Sequence, residues 1–132
     1  DIPWPGYTFR IVEKGTGKAI TMADGSKNAA LERLDSYNEP RTLWHCVEKN
    51  GYFGFMNPRS GRYLGHDGKD GMTTTSKLKE WEMWTPRQHP DGGYQLLSPL
   101  SSDAVMLLSV AENESSLTRR DHSTTVWEFI RV

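Results

Sequence analysis

The sequence predicts an all-β domain of twelve short strands, arranged as three units of four, and three observations carry that expectation. A tripeptide ending in tryptophan closes each third of the 132-residue chain: Thr42-Leu43-Trp44, Glu82-Met83-Trp84 and Thr125-Val126-Trp127. The tryptophans stand 40 and 43 residues apart, and a period in this range makes the repeat the unit of structure. The segment from Phe9 to Ile20 also lies over Phe53 to Leu64 without a gap. Each reads as a strand, a glycine turn closed by a basic residue (Gly17-Lys18, Gly61-Arg62) and a second strand. Finally, no segment beyond a couple of turns carries an apolar period of 3.6, while turn residues recur every eight to twelve positions.

Taken in order, residues 1–6 form a short extended arm, with Pro3 and Pro5 flanking Trp4. Strands are expected at 7–12, 19–23, 29–34 and 43–47, parted by Gly15-Thr16-Gly17, Asp24-Gly25-Ser26 and residues 36–40. The second unit repeats the pattern at 52–56, 62–65, 72–75 and 82–85, with turns at 58–61, 66–71 and Leu78-Lys79. The third gives 94–97, 105–110, 117–119 and 126–132, with turns at 98–103 and 112–116. One domain spans 1–132, and its units run over about 7–50, 51–92 and 93–132. The expected core is one tryptophan per unit (Trp44, Trp84, Trp127) with Phe9, Ile11, Ile20, Leu31, Phe53, Phe55, Leu64, Leu96, Leu107 and Phe129. Each buried ring contributes roughly 2–3 kcal/mol through the area it removes from water. Trp4, outside the repeated position, is expected to fold back over the open end of the barrel.

Sixteen basic side chains balance seventeen acidic ones, and no basic run exceeds two residues, so a nucleic-acid partner is not expected. No apolar run is long enough to span a bilayer, and no membrane partner is expected. The single cysteine, Cys46, has no internal partner and lies in an apolar strand pattern, where it reads as a small buried hydrophobe. A domain independent of disulfides is expected in the cytoplasm, with secretion left open by the absence of an initiating methionine before Asp1.

Twelve strands in three units of about forty residues are too few for a propeller, whose usual minimum is about four blades, and a two-sheet sandwich leaves the threefold period unexplained. The arrangement resembles a β-trefoil across essentially the whole chain. Within that fold, Ser60-Gly61-Arg62-Tyr63-Leu64-Gly65-His66-Asp67-Gly68, followed by Met72-Thr73-Thr74-Thr75 and Trp81, is similar to a unit of the fascin-like, actin-crosslinking group. A more distant resemblance is to the ricin-B-type lectins, whose units carry Gln-x-Trp. Here Thr42, Glu82 and Thr125 stand where that glutamine would, so the lectins' sugar-binding residues do not carry over.

The residues that could carry recognition concentrate in the second unit: Asn57, Arg62, His66, Asp67 and Trp81. A carboxylate, an imidazole and an aromatic plate suit a sugar, whose apolar face covers a ring while its hydroxyls donate to the carboxylate. Glycine at Gly65 would let a ligand approach the backbone, or would relieve crowding beneath Tyr63. The first unit offers only Asp24-Gly25 at the corresponding turn and Tyr37 in a loop, and the third offers the apolar strand Val105-Met106-Leu107-Leu108. His45, His66, His89 and His122 lack metal-ligand spacing, and no cofactor fingerprint or nucleophile elbow occurs, so no metal or cofactor is expected. The expectation is a non-catalytic, lectin-like module with a glycan or small-molecule ligand held on the second repeat. Its alternatives are a fascin-like protein partner, or an isomerase or cyclase should His66, Asp67 or His122 lie in a deep closed pocket.

Overall fold

A computed structural model describes residues 1–23, 25–33, 40–100 and 104–132. Asp24, Tyr37 and the ends of several expected turns lie outside them. The twelve strands are β1 (Thr8–Glu13), β2 (Ala19–Met22), β3 (Ala29–Glu32), β4 (Trp44–Lys49), β5 (Tyr52–Asn57) and β6 (Arg62–His66), then β7 (Met72–Thr75), β8 (Thr85–Gln88), β9 (Tyr94–Ser98), β10 (Met106–Val110), β11 (Leu117–Arg120) and β12 (Trp127–Arg131).

Six of them close a barrel. β12 pairs with β1, β1 with β4, β4 with β5, β8 with β9 and β9 with β12, all antiparallel. The last seam, β5 to β8, is closed by Phe53 and Trp84, which exchange two N–H···O bonds of 2.8 Å. Closure leaves no barrel edge exposed. The remaining strands form hairpins β2–β3, β6–β7 and β10–β11, which meet at one end. There the Thr74 N–H bonds Lys27 O at 2.8 Å and the Arg119 N–H bonds Asp70 O at 3.1 Å.

The threefold repeat is written in hydrogen bonds. Trp44, Trp84 and Trp127 are fully buried, and their indole N–H groups donate to Ile20 O, Leu64 O and Leu108 O at 2.9, 3.0 and 3.0 Å. The same tryptophans stand opposite Phe9, Phe53 and Tyr94 in the barrel register. Each unit thus spends one indole donor on its second strand, so a bulky ring with a polar edge is buried without an unpaired donor. Ile11, Phe55 and Leu96 fill the barrel between them.

Several expectations change. The fourth strand of unit two begins at Thr85 rather than 82, because Glu80–Glu82 closes a single 3-10 turn. Glu82 Oε1 accepts the Lys79 N–H at 2.9 Å, and the Glu82 N–H returns to Lys79 O. Pro40–Thr42 makes the corresponding turn in unit one. Leu107 is buried as expected, but Leu108 is the member of the central cluster, since strand alternation sends neighbours to opposite faces, and the Trp127 indole bonds its carbonyl. Unit three therefore matches Leu64-Gly65-His66 with Leu108-Ser109-Val110. Trp4 does not plug the barrel: it is 59% exposed, resting edge-on against the half-buried Phe53 with ring centroids 5.9 Å apart. Cys46 is buried in the core as expected, and burial pushes its thiol up to about 12.

Candidate functional site

Each hairpin of the cap has its turn closed in the same way. Ala23, Asp67 and Ala111 donate their N–H groups to Asn28 O, Gly71 O and Ser116 O. The residues just before them, Met22, His66 and Val110, pair with Ala29, Met72 and Leu117. Counting back from the core tryptophans, Arg41, Trp81 and Thr124 also correspond. Beside each such set lies a recess: about 480 Å³ in unit one, 900 Å³ in unit two and 450 Å³ in unit three.

Among the described residues, the unit-two recess alone is lined by tryptophan or tyrosine. Trp81 sits in the 3-10 turn Glu80–Glu82 with 43% of its surface exposed. Two glycines make room for it. A Cβ at Gly65 would stand 2.8 Å from Trp81 O and from Glu82 Cγ, so Gly65 is there to seat the turn, a different role from either one expected of it. Gly68 has φ of +85°, and a Cβ on it would meet the Trp81 ring at 2.7 Å. Beneath the indole lies His66, 1% exposed, its ring tilted 32° to Trp81 at a centroid distance of 5.3 Å. Its Nδ1 accepts the Gly68 N–H at 3.0 Å, and its Nε2 lies 3.3 Å from Nη1 of Arg119, whose Nε donates to Lys69 O. Burial, then the Arg119 charge, lower the imidazole to about 4 against a smaller opposing pull from Asp67. The ring is neutral at pH 7 and serves as a stacked support.

Asp67 lies exposed at the mouth of the same recess, with Oδ1 accepting the Lys69 N–H at 2.8 Å. Glu82 forms part of the wall, and burial raises its carboxyl against the lowering effects of the Lys79 N–H and charge. The β4–β5 hairpin supplies Tyr52, placed by the two-residue turn Asn50-Gly51, in which both φ values are positive, as such tight turns require. Leu100, from the loop between β9 and β10, also lines the recess. That loop belongs to unit three. Nine positions separate Ile11 from Ile20 and Phe55 from Leu64, but twelve separate Leu96 from Leu108.

Of the five residues singled out from the sequence, the fold brings His66, Asp67 and Trp81 together and sends Asn57 and Arg62 elsewhere. The β5–β6 loop borders the recess of unit one, just as Leu100, after β9, borders that of unit two. Asn57 is 2% exposed and fully engaged: Nδ2 donates to Pro40 O and Leu43 O, and Oδ1 accepts from Arg59 and Ser60 N–H. Arg62 clasps its own hairpin, donating to Thr74 Oγ1 at 3.0 Å and Thr74 O at 2.7 Å. Sequence reasoning missed Tyr52, Glu82 and Leu100 as lining residues. The signal for Tyr52 was the Asn-Gly turn preceding it, whereas nothing local marks Leu100. Among the described residues, no three His, Cys, Asp or Glu side chains are placed to hold a metal ion.

No protein-family model matches the chain, and no curated protein matches it by sequence. Solved structures do share its fold. A GlcNAcα1-4Gal-releasing endo-β-galactosidase from Clostridium perfringens superposes with a TM-score of 0.82 at 18% identity, over 96% of this chain and 32% of that one. A ricin B-like lectin from Macrolepiota procera, in complex with lactose, gives 0.83 at 13% identity over 100% of both chains. SeviL bound to asialo-GM1 saccharide gives 0.75 at 16% identity over 96% of this chain and 98% of that one. The chain spans about a third of the endo-β-galactosidase and nearly all of the other two. At these identities the likeness establishes architecture alone: a closed six-strand barrel capped by three hairpins about a pseudo-threefold axis, which is a β-trefoil.

Proposed function

We propose that this protein is a carbohydrate-binding module whose principal site is the unit-two recess. The observation that carries the proposal is the half-exposed indole of Trp81, seated on His66 and Gly68 and facing the same recess as the Asp67 carboxylate. A pyranose has one face of C–H groups that suits the indole and a rim of hydroxyls that suits a carboxylate and Tyr52. Holding the ring in place before binding reduces the ordering cost of association. Two of the solved structures that share the fold are described with saccharides bound, lactose and asialo-GM1, which agrees with such a ligand. A fascin-type partner would engage a broad face of about 800 Å², and no observation here favours that over the recess. An isomerase or cyclase would call for a closed pocket, and this recess is open.

A glycan array on the purified protein identifies the ligand, and calorimetry with that ligand then tests the site. Trp81→Ala and Asp67→Ala are each expected to weaken binding tenfold or more while leaving the fold intact. Binding that survives the loss of both side chains would place the site elsewhere.

A further inference from the structure

The unit-two recess extends well beyond the Trp81 indole. Its lining draws on the β6–β7 hairpin through His66, Asp67 and Thr73, on the 3-10 turn and Met83, and on the β4–β5 hairpin through Tyr52. Clefts of about 300–1,000 Å³ bury drug-sized molecules. At about 900 Å³ this recess lies near the top of that range and holds more than one pyranose fills.

Tyr52 is a second aromatic surface within it. Phe53 and Phe55 belong to the core and its border, so strand alternation sends Tyr52 and Gly54 to the outer face of β5. Leu78 packs on Gly54, where a Cβ would stand 2.8 Å from Leu78 Cδ1. Lys49 Nζ donates to Leu78 O at 2.9 Å, and Glu48 Oε2 accepts the Gly51 N–H at 2.9 Å, so the hairpin that carries Tyr52 is tied down on both sides of its turn. The Tyr52 hydroxyl has no hydrogen-bond partner among the described residues. Such a ring offers a rigid surface with a polar tip at low conformational cost.

The antiparallel bridge of Phe53 to Trp84 sets Tyr52 beside Thr85. Four residues carry the chain from Trp81 to Thr85, a reach of at most about 14 Å, and Met83, itself a lining residue, stands between them. We infer that the recess takes a linear glycan of two or more pyranoses, with one ring on Trp81 and Asp67 and the next against Tyr52. The hydroxyls that suit Tyr52 then belong to the second ring. This rests on the reading of the recess as a sugar site and adds the length of its ligand.

The probe is an array carrying the common hexopyranoses singly and in linear di- and trisaccharides. Calorimetry follows with the tightest oligosaccharide and with the methyl glycosides of its component sugars. The oligosaccharide is expected to bind at least about tenfold more tightly than any component, the scale of one added ring contact. Tyr52→Ala should remove that advantage and leave the monosaccharide affinity unchanged, whereas Trp81→Ala should weaken both. In the parent protein, amide NMR shifts at Asn50, Gly51, Tyr52 and Phe53 should follow the oligosaccharide and not the monosaccharide, a readout that depends on no variant. Equal affinity for single sugars and oligosaccharides would overturn the inference and leave the sugar site standing. So would a Tyr52→Ala variant that weakens both alike or neither. A parent protein that binds no sugar on the array would overturn the site and its length together.

Discussion

Met22, Ala23 and Arg41 in unit one occupy the places of His66, Asp67 and Trp81 in unit two, on hairpins whose turns close with the same backbone bond. The tryptophan beneath each recess makes the same bond to the second strand. The frame asks for very little at the three variable positions, and the two units have answered differently. Unit two keeps an indole in the wall, and doing so required Gly65 and Gly68. Unit one has Thr21 at the place of Gly65, its hydroxyl donating to Glu32 Oε1 at 2.9 Å, and a long flexible guanidinium in place of the ring. The lesson is that the recess linings change here in linked sets: the indole depends on its two glycines, and the Arg41 guanidinium is held by Glu32.

The largest expected effect falls on what the two recesses share. Trp84→Ala should cost about 3–5 kcal/mol by opening a core cavity and stranding the Leu64 carbonyl. Trp44→Ala should cost about the same, and chemical denaturation of the two variants checks whether the frame is as symmetric as its bonds. A variant that melts like the parent would break the comparison at its root.

The next effect separates the recesses by pH. His66 titrates at about 4 when folded and near 6.5 when unfolded, so on acidification the unfolded chain takes up its proton first. The stability that His66 gives as a neutral ring is complete above pH 6.5 and is lost as the pH falls toward 4, on the order of 3 kcal/mol. Installing the unit-one residue, His66→Met, should flatten that part of the stability–pH curve. A slope unchanged by the replacement would assign the acid sensitivity to other groups.

A smaller and more pointed contrast concerns two turn glycines, Gly25 at φ +67° and Gly68 at φ +85°. Gly25 has open space where a Cβ would go, whereas Gly68 has the Trp81 ring. Alanine at either position should cost about 1 kcal/mol for the left-handed backbone. Only Gly68→Ala should also displace the indole, seen as a change in tryptophan fluorescence and a loss of glycan binding. The smallest effect belongs to Glu112→Ala, at an exposed position in the third turn, which should alter stability by less than about 0.5 kcal/mol and leave glycan binding unchanged.

Much of the fold was legible because its strongest signal is a residue that must do two things at once. A tryptophan repeated every forty residues buries a large ring and satisfies an indole N–H, and only a matching strand carbonyl in each unit allows both. The start of β8 was not legible in the same way: Glu82 reads as a strand residue until its carboxylate is seen bonding the Lys79 N–H. Leu107 and Leu108 are chemically interchangeable and both are buried, and only the strand register decides which joins the central cluster. The candidate site was legible where its members are local, as with His66, Asp67 and the Trp81 turn that packs on their hairpin. It failed for Asn57 and Arg62 because nearness in sequence was taken for nearness in space. In units one and two, residues from the first loop of the following unit border the recess.

That offset has a consequence for how such a chain can diversify. The recesses of units one and two each take part of their described lining from the following repeat, so a single repeat cut from the chain would carry neither lining whole. Leu100, which lines the second repeat's recess, lies in the connection that is three positions longer in the third repeat, while the tryptophan that the repeats share is kept. Loop length in one copy can therefore reshape the recess of its neighbour, and the recesses can drift apart while the barrel beneath them stays alike.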